Sequence, residues 1–371
     1  MSLLINATPL SFTNLNKVCP YFTMFPISFP FEELRERGKI GDWVIDPFCG
    51  RGTTNFAARL LGMPSMGMDS NPVAVAIAKA KLACAEPNQV VELAKTILDT
   101  AKEPTFIPTG DFWELVYHKN TLTRLCQLRE TLINDCSSST SVLLRAIILG
   151  ALHGPRPKGT PSYFSNQSPR TYAPKPNYAV KYWMSHGMRP NEVDVISIIK
   201  SRADRYLSKP LPDVKSKIEL GDSRVADSFR DMPKARFVIT SPPYFGMKTY
   251  LPDQWLRLWF LGGPDYVEYR QSEKQLKHSS AAIFAAEMGS VWKNMAARTS
   301  QEALMIIRYG GIHDRAAEPM DILNQSLVDS GWRMESLRKV PDSVSWRRQA
   351  QQFLRKPRKA IKEFDVFCYR D

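Results

Sequence analysis

The chain has 371 residues, 43% of them apolar, and 50 Lys and Arg against 37 Asp and Glu, a formal charge of +13. Such a length carries a sizeable core in one large domain with an insertion, or in two domains. The basic excess favours a polyanionic partner, with a generally basic surface as the plainer alternative. The apolar run VLLRAIILGAL, 142 to 152, contains an arginine and falls short of the roughly 20 residues that cross a bilayer. MSLLINATPLSF lacks a charged region before its apolar residues, so a secretory signal is not expected and the cytoplasm is. Six cysteines without a CxxC pair read as reduced thiols, and five histidines without paired Cys/His spacing predict no metal.

In chain order, WVIDPF (43 to 48), CGRG (49 to 52), TTNFAARLLG (53 to 62) and PSMGMDSNP (64 to 72) read as strand, glycine turn, helix and strand. Thr53 is placed to cap that helix and Gly62 to end it. The pattern predicts the opening βαβ unit of a doubly wound parallel sheet, and VAVAIAKAKLACA (73 to 85) continues as a helix. From Lys215 the alternation resumes, with strands at 215 to 223, 235 to 244, 303 to 311, 333 to 340 and 364 to 370 and a helix at 319 to 332. The expected fold is α/β, with about seven mostly parallel strands and an antiparallel C-terminal hairpin. Residues 86 to 214 exceed what a crossover needs and read as an inserted region between a first part, 1 to 85, and a second part, 215 to 371. Its early stretches have helical spacing. Its later stretch, 155 to 189, has six Lys/Arg, six aromatics and no carboxylate.

Three short stretches carry chemistry. DPFCGRGTT, 46 to 54, sets two glycines at a strand-to-helix turn, where a cofactor can approach the backbone. Asp69 ends the next strand, where a carboxylate can accept from two ribose hydroxyls. The turn matches neither GxGxxG nor a Walker loop, which disfavours NAD and ATP. TSPPYFG, 240 to 246, pairs two prolines that fix the backbone and remove two amide donors. Such a loop can hold an exocyclic amine between Ser241 and the carbonyl of Pro242, while Tyr244 either offers a ring for stacking a base or packs into the core.

Together DPFCGRGTT, GMDSNP and TSPPYFG resemble the DNA amino-methyltransferases, which transfer methyl from S-adenosylmethionine to N4 of cytosine or N6 of adenine. The resemblance implies a Rossmann-like class I methyltransferase fold, with 1 to 85 and 215 to 371 as the two parts of the catalytic domain. It implies cofactor contacts at Asp46, Phe48, Gly50, Gly52, Thr53 and Asp69, with Asp222 of ELGDS near the adenine. PYFTMFPISFP, 20 to 30, looks like the family's N-terminal cofactor segment or, on its residues alone, an aromatic loop on the sheet. Ser241, Pro242, Pro243 and Tyr244 become the catalytic loop, acting on a flipped-out base. Within the family Ser-Pro-Pro-Tyr leans towards cytosine N4. No Pro-Cys dipeptide of carbon-5 methylases is present.

Double-stranded DNA is then the expected partner, with a cognate restriction nuclease as a further one. Arg156, Lys158, Arg170 and Lys175 of the insert, and Arg347 and Arg348 of SWRRQAQQFLRKPRKAIK, are the candidate DNA contacts. DQWLRLWFLGG, 253 to 263, reads as core packing behind the pocket. Adenine N6, RNA or protein acceptors and a catalytically dead DNA-binding module remain open alternatives.

Overall fold

The computed structural model describes residues 14–21, 25–154, 160–165, 175–246, 254–269, 274–311, 318–340 and 363–371. Its sheet is built from β1 (Val44–Asp46), β2 (Ser65–Asp69), β3 (Ser216–Leu220), β4 (Ala235–Thr240), β5 (Thr299–Gly310), β6 (Trp332–Lys339) and β7 (Glu363–Arg370). The strand order is β3-β2-β1-β4-β5-β7-β6. β1 to β5 pair in parallel, and β7 runs antiparallel to both β5 and β6. This is a Rossmann-like sheet, mostly parallel with an antiparallel C-terminal pair. The C-terminal pair is antiparallel as expected, but β7 lies inside the sheet and leaves β6 at its edge.

The strands explain themselves by period two, because successive side chains of a sheet point to opposite faces. Val44, Phe237, Ile239, Leu304, Ile306 and Phe367 pack on one face with Phe29 and Leu34 of α1 (Ser28–Arg37). Ile45, Val238, Met305, Ile307, Val366 and Cys368 pack on the other, under α11 (Ala281–Ala297) and α12 (Pro319–Leu327). Both faces of the central strands are covered, so β4 and the end of β5 read as continuous apolar runs, whereas the edge strand β3 is partly and β6 largely exposed.

α2 (Thr53–Leu60) begins differently from expectation. Its N-cap is Gly52, at φ 71° and ψ 42°, with no side-chain cap, and Thr53 is the first helical residue. The reason is space as well as conformation, since a Cβ on Gly52 would sit 2.8 Å from the Cβ of Ala78. The side-chain cap belongs instead to α3 (Pro72–Leu82), where Asn71 Oδ1 accepts from the Val73 amide at 2.9 Å and Pro72 opens the helix.

The inserted region is helical: α4 (Pro87–Thr100), α5 (Asp111–Val116), α6 (Lys119–Asn134), α7 (Ser139–Ala151), α8 (Pro176–Ser185) and α9 (Val195–Tyr206). Its buried residues form one cluster with Phe56 and Ala57 of α2, Val73 and Ile77 of α3, and Trp255 and Trp259 of α10 (Trp255–Phe260). The insert therefore extends the helical layer on the α2–α3 side of the sheet. Among the described residues no helix is long and apolar enough to cross a membrane.

Candidate active site

The strand order reverses between β1 and β4, which opens a crevice at their carboxyl ends. Asp46 closes β1 and Thr240 closes β4, and the two side chains meet there. Thr240 Oγ1 donates to Asp46 Oδ1 at 2.6 Å, and the Phe48 amide donates to the same oxygen at 3.1 Å. Thr54 Oγ1 donates to the Ile239 carbonyl at 3.1 Å, a second tie between the turn and β4. Asp46 Oδ2 is buried and has no hydrogen-bond partner. Burial pushes the Asp46 carboxyl up to about 7, against the opposing pull of the hydrogen bonds it accepts from the Thr240 hydroxyl and the Phe48 amide.

Asp69 organises the glycine turn. Its Oδ2 accepts from the Gly50 amide at 2.9 Å and its Oδ1 from the Asn71 amide at 2.8 Å. Burial raises its pKa to about 6, while these backbone hydrogen bonds pull it down. Gly50 adopts φ +51°, a left-handed conformation that favours glycine, and has open space where a Cβ would stand. The turn thus presents free backbone beside a carboxylate.

Tyr21, from the N-terminal aromatic segment, accepts from Asn71 Nδ2 at 2.8 Å. Burial raises its pKa first, and the nearby Asp69 charge adds to the shift, so this tyrosine stands close to Asp69. Residues 22–24 of the same segment lie outside the described residues. Behind it, Arg51 Nη2 and Lys81 Nζ donate to Asn16 Oδ1 at 3.1 and 2.7 Å, locking the 3-10 turn Leu15–Lys17 onto the glycine turn and α3. Sequence reading singled out neither Asn16 nor Asn71.

Asp222 follows β3, and its neighbour Ser223 donates to the Pro47 carbonyl at 2.5 Å, which joins the β3 loop to the turn after β1. The carboxylate itself is taken by Arg224, with Nε at 2.9 Å from Oδ1 and Nη2 at 2.6 Å from Oδ2. Arg224 Nη1 also reaches Glu287 Oε1 at 2.8 Å. Burial alone would raise the Asp222 pKa, but the Arg224 hydrogen bonds hold it below the usual carboxylate range. Phe48 packs edge-on to Trp292 of α11, with ring centroids 6.0 Å apart.

The TSPPYFG loop leaves the end of β4 beside this crevice. Ser241 is half-buried, Pro242 buried and Pro243 half-buried. Tyr244 is only 8% exposed, with its ring edge-on to Tyr309 of β5 at 5.5 Å. Its hydroxyl donates to Glu363 Oε1 of β7 at 2.9 Å. Burial and the Glu363 charge push the Tyr244 hydroxyl well up, and the adjacent Ser241 side chain acts in the opposite direction. Ser241, Tyr244 and Glu363 therefore adjoin one another. The Gly246 amide donates to His278 Nδ1 at 3.0 Å, and Phe245 packs against Phe284 of α11 at 5.6 Å. Glu363, Tyr309 and His278 were not legible as site residues, because each touches the loop only after the sheet has formed.

Of the candidate DNA contacts, Lys175 is exposed at the start of α8. Arg156, Lys158, Arg170, Arg347 and Arg348 lie outside the described residues. Trp255 and Trp259 are buried, so α10 is core, as its apolar spacing suggested. Among the described residues no group of three or more His, Cys, Asp or Glu could hold a metal ion.

Residues 10–80 match the DNA methylase family. The matched segment takes in the glycine turn, Asp69 and Asn71, and stops before the insert and TSPPYFG. It supports a DNA methyltransferase of the N6/N4 type and, with it, S-adenosylmethionine as cofactor. No curated protein matches the chain. Among solved structures, the rRNA methyltransferase AviRa from Streptomyces viridochromogenes is 11% identical, at TM-score 0.38 over 99% of this chain and 94% of that one. A TehB-like S-adenosylmethionine-dependent methyltransferase from Corynebacterium glutamicum is 8% identical, at TM-score 0.34 over 92% and 87% of the two chains. At such TM-scores these likenesses carry no argument, and the fold rests on its own strand order.

The residues fit this cofactor. A buried carboxylate oxygen without a partner, Asp46 Oδ2, suits a cationic amine, and Asp69 suits ribose hydroxyls at the end of β2. The open, left-handed Gly50 leaves the backbone approachable between them.

Proposed function

We propose that this chain methylates the N4 amine of cytosine in duplex DNA. The observation that carries the reading is the placement of Ser-Pro-Pro-Tyr at the carboxyl end of β4, joined to the cofactor turn through the Thr240–Asp46 hydrogen bond. Bound S-adenosylmethionine supplies an electrophilic methyl group. Asp46, Phe48, Gly50, Gly52, Thr53 and Asp69 hold it, with Asp222 at the adenine side once Arg224 shares or yields that carboxylate.

The chain's own contribution is to make the amine a nucleophile. A cytosine amine is weakly nucleophilic because its lone pair is delocalised into the ring. Hydrogen bonds from its two N–H groups to Ser241 Oγ and the Pro242 carbonyl favour a tetrahedral nitrogen with a localised lone pair. Neither proline offers an amide N–H to compete for those acceptors. The target base is paired and stacked in a duplex, so it must be extruded to reach the loop, while the buried ring of Tyr244 fixes the loop from behind. The Glu363 carboxylate holds that ring in place through the tyrosine hydroxyl.

The test is nucleoside mass spectrometry of duplex DNA incubated with the protein and S-adenosylmethionine. N4-methylcytosine is the expected product. N6-methyladenine alone would keep the site and overturn the cytosine assignment, and methylation of RNA with none of DNA would overturn the acceptor class.

A further inference from the structure

The basic stretch 155 to 189 contains α8, and that helix is two-faced. Its inner face is aromatic core: Trp183 is fully buried, 5.6 Å from Phe112 of α5, and Phe112 lies 4.8 Å from Trp255 of α10. α10 is the first described helix after TSPPYFG. One contiguous aromatic column thus ties α8 to the chain leaving the amine-binding loop.

The other side of the helix carries a second aromatic row. Tyr178 and Tyr182 stack at 6.5 Å with an interplanar angle of 22°, and Tyr182 and His186 at 4.2 Å and 27°. His186 is fixed further, its Nδ1 lying 2.8 Å from the Tyr182 carbonyl. Tyr178, at the open end of this ladder, is 66% exposed. Tyr182 is partly buried against the core and holds the row in place, so the exposed ring of Tyr178 is the part left to meet a partner. The surrounding charge selects which: Lys175, Lys181 and Arg189 are exposed, and no Asp or Glu occurs from 175 to 191. Planar rings flanked by cations complement a ligand of planar bases on a polyanionic backbone.

We propose that α8 is a DNA-contacting helix on which Tyr178 stacks against a base exposed by opening of the duplex, while Lys181 and Arg189 take flanking phosphates. This rests on the reading of the chain as a DNA methyltransferase and deepens it by assigning the acceptor-side surface. The ladder is stacked before the ligand arrives, so adding one more planar ring at its open end orders little that is not already ordered.

The test needs no methyl transfer, so it separates from the functional reading. Fluorescence anisotropy would compare a labelled duplex carrying one unpaired cytosine with the same duplex fully paired. Tyr178→Ala is expected to weaken binding of the opened duplex roughly 5- to 100-fold and to narrow its advantage over the paired one. Tyr178→Phe should bind as wild type, and Lys181→Ala should lower the salt slope by about 0.9. Unchanged affinity of Tyr178→Ala would overturn the proposal, as would an equal loss in Tyr178→Phe. Wild-type DNA binding in both variants with lost binding of an acidic peptide would reassign the face to a protein. If wild-type protein binds DNA in this way yet makes no methylated nucleoside, the functional reading fails and the surface stands.

Discussion

The two halves of the site are put together in opposite ways. Around Asp69, at the glycine turn, the contacts are short-range: its carboxylate reaches Gly50 and Asn71, 19 and 2 residues away in sequence. On the acceptor side they are long-range: Tyr244 is held by Glu363, 119 residues on, and Thr240 reaches Asp46 across 194. The first half is a motif that one βαβ unit can form by itself. The second exists only when β4, β5 and β7 are side by side.

The sharpest way to separate the halves is Ser241→Ala. If Ser241 accepts from the amine as the nitrogen turns tetrahedral, turnover should fall about a hundredfold while cofactor affinity, measured by calorimetry, stays as in wild type. A fall in both would merge the halves into one site. The reciprocal change is Asp69→Ala, which should weaken S-adenosylmethionine binding by about 1.5–3 kcal/mol through loss of a charge-assisted acceptor. Unchanged affinity in the folded variant would remove Asp69 from the cofactor site.

The long-range tie can be broken on its own. Tyr244→Phe and Glu363→Ala should each lower stability by at least about 1–3 kcal/mol, read by thermal or urea unfolding, because each removes one partner of a buried hydrogen bond. The double variant should lose less than the sum of the two, since both remove the same bond. Additive losses would mean that the hydrogen bond contributes nothing.

The smallest expected effect is on pH. Asp46 titrates near 7 without cofactor, and a cationic amine beside it would lower that value. Binding should then release a proton below pH 7, so affinity rises about tenfold from pH 6 to pH 8 and levels off above. Calorimetry in buffers of different ionisation enthalpy measures that proton. The folding linkage has the opposite sign, because a carboxyl raised in the folded state favours the fold when protonated. Its contribution to stability is present below pH 4 and is lost as pH rises through about 7.

Much of the molecule could be read in advance, and the failures have physical causes. The turn at 49 to 52 was visible because glycines at fixed spacing have few other uses, yet Thr53 was misread as its cap. Hydroxyl side chains are common caps, and only the proximity of Ala78 shows why Gly52 takes that place. α11 was passed over, although Ser280 caps it and Phe284, Met288, Val291, Trp292 and Met295 recur at helical spacing. Its run is apolar nearly all round, which hides the amphipathic signal that marks a surface helix. Tyr244 was offered equally to a base and to the core. Its neighbours Tyr309 and Glu363 leave it little free surface.

By itself the sequence determined the alternation of strands and helices, the glycine turn with Asp69 at the next strand end, the stiff Pro-Pro loop and the basic, carboxylate-free stretch. All of these are set by the local chemistry of the backbone or by composition. Tertiary structure alone decided that β7 lies between β5 and β6 and that Glu363 meets Tyr244. It also decided that Arg224 takes the Asp222 carboxylate and that α8 turns one aromatic face inward and another outward. Those outcomes depend on which surfaces close against each other when both faces of the central strands are covered, and burial of that kind is a property of the assembled layers rather than of any one segment.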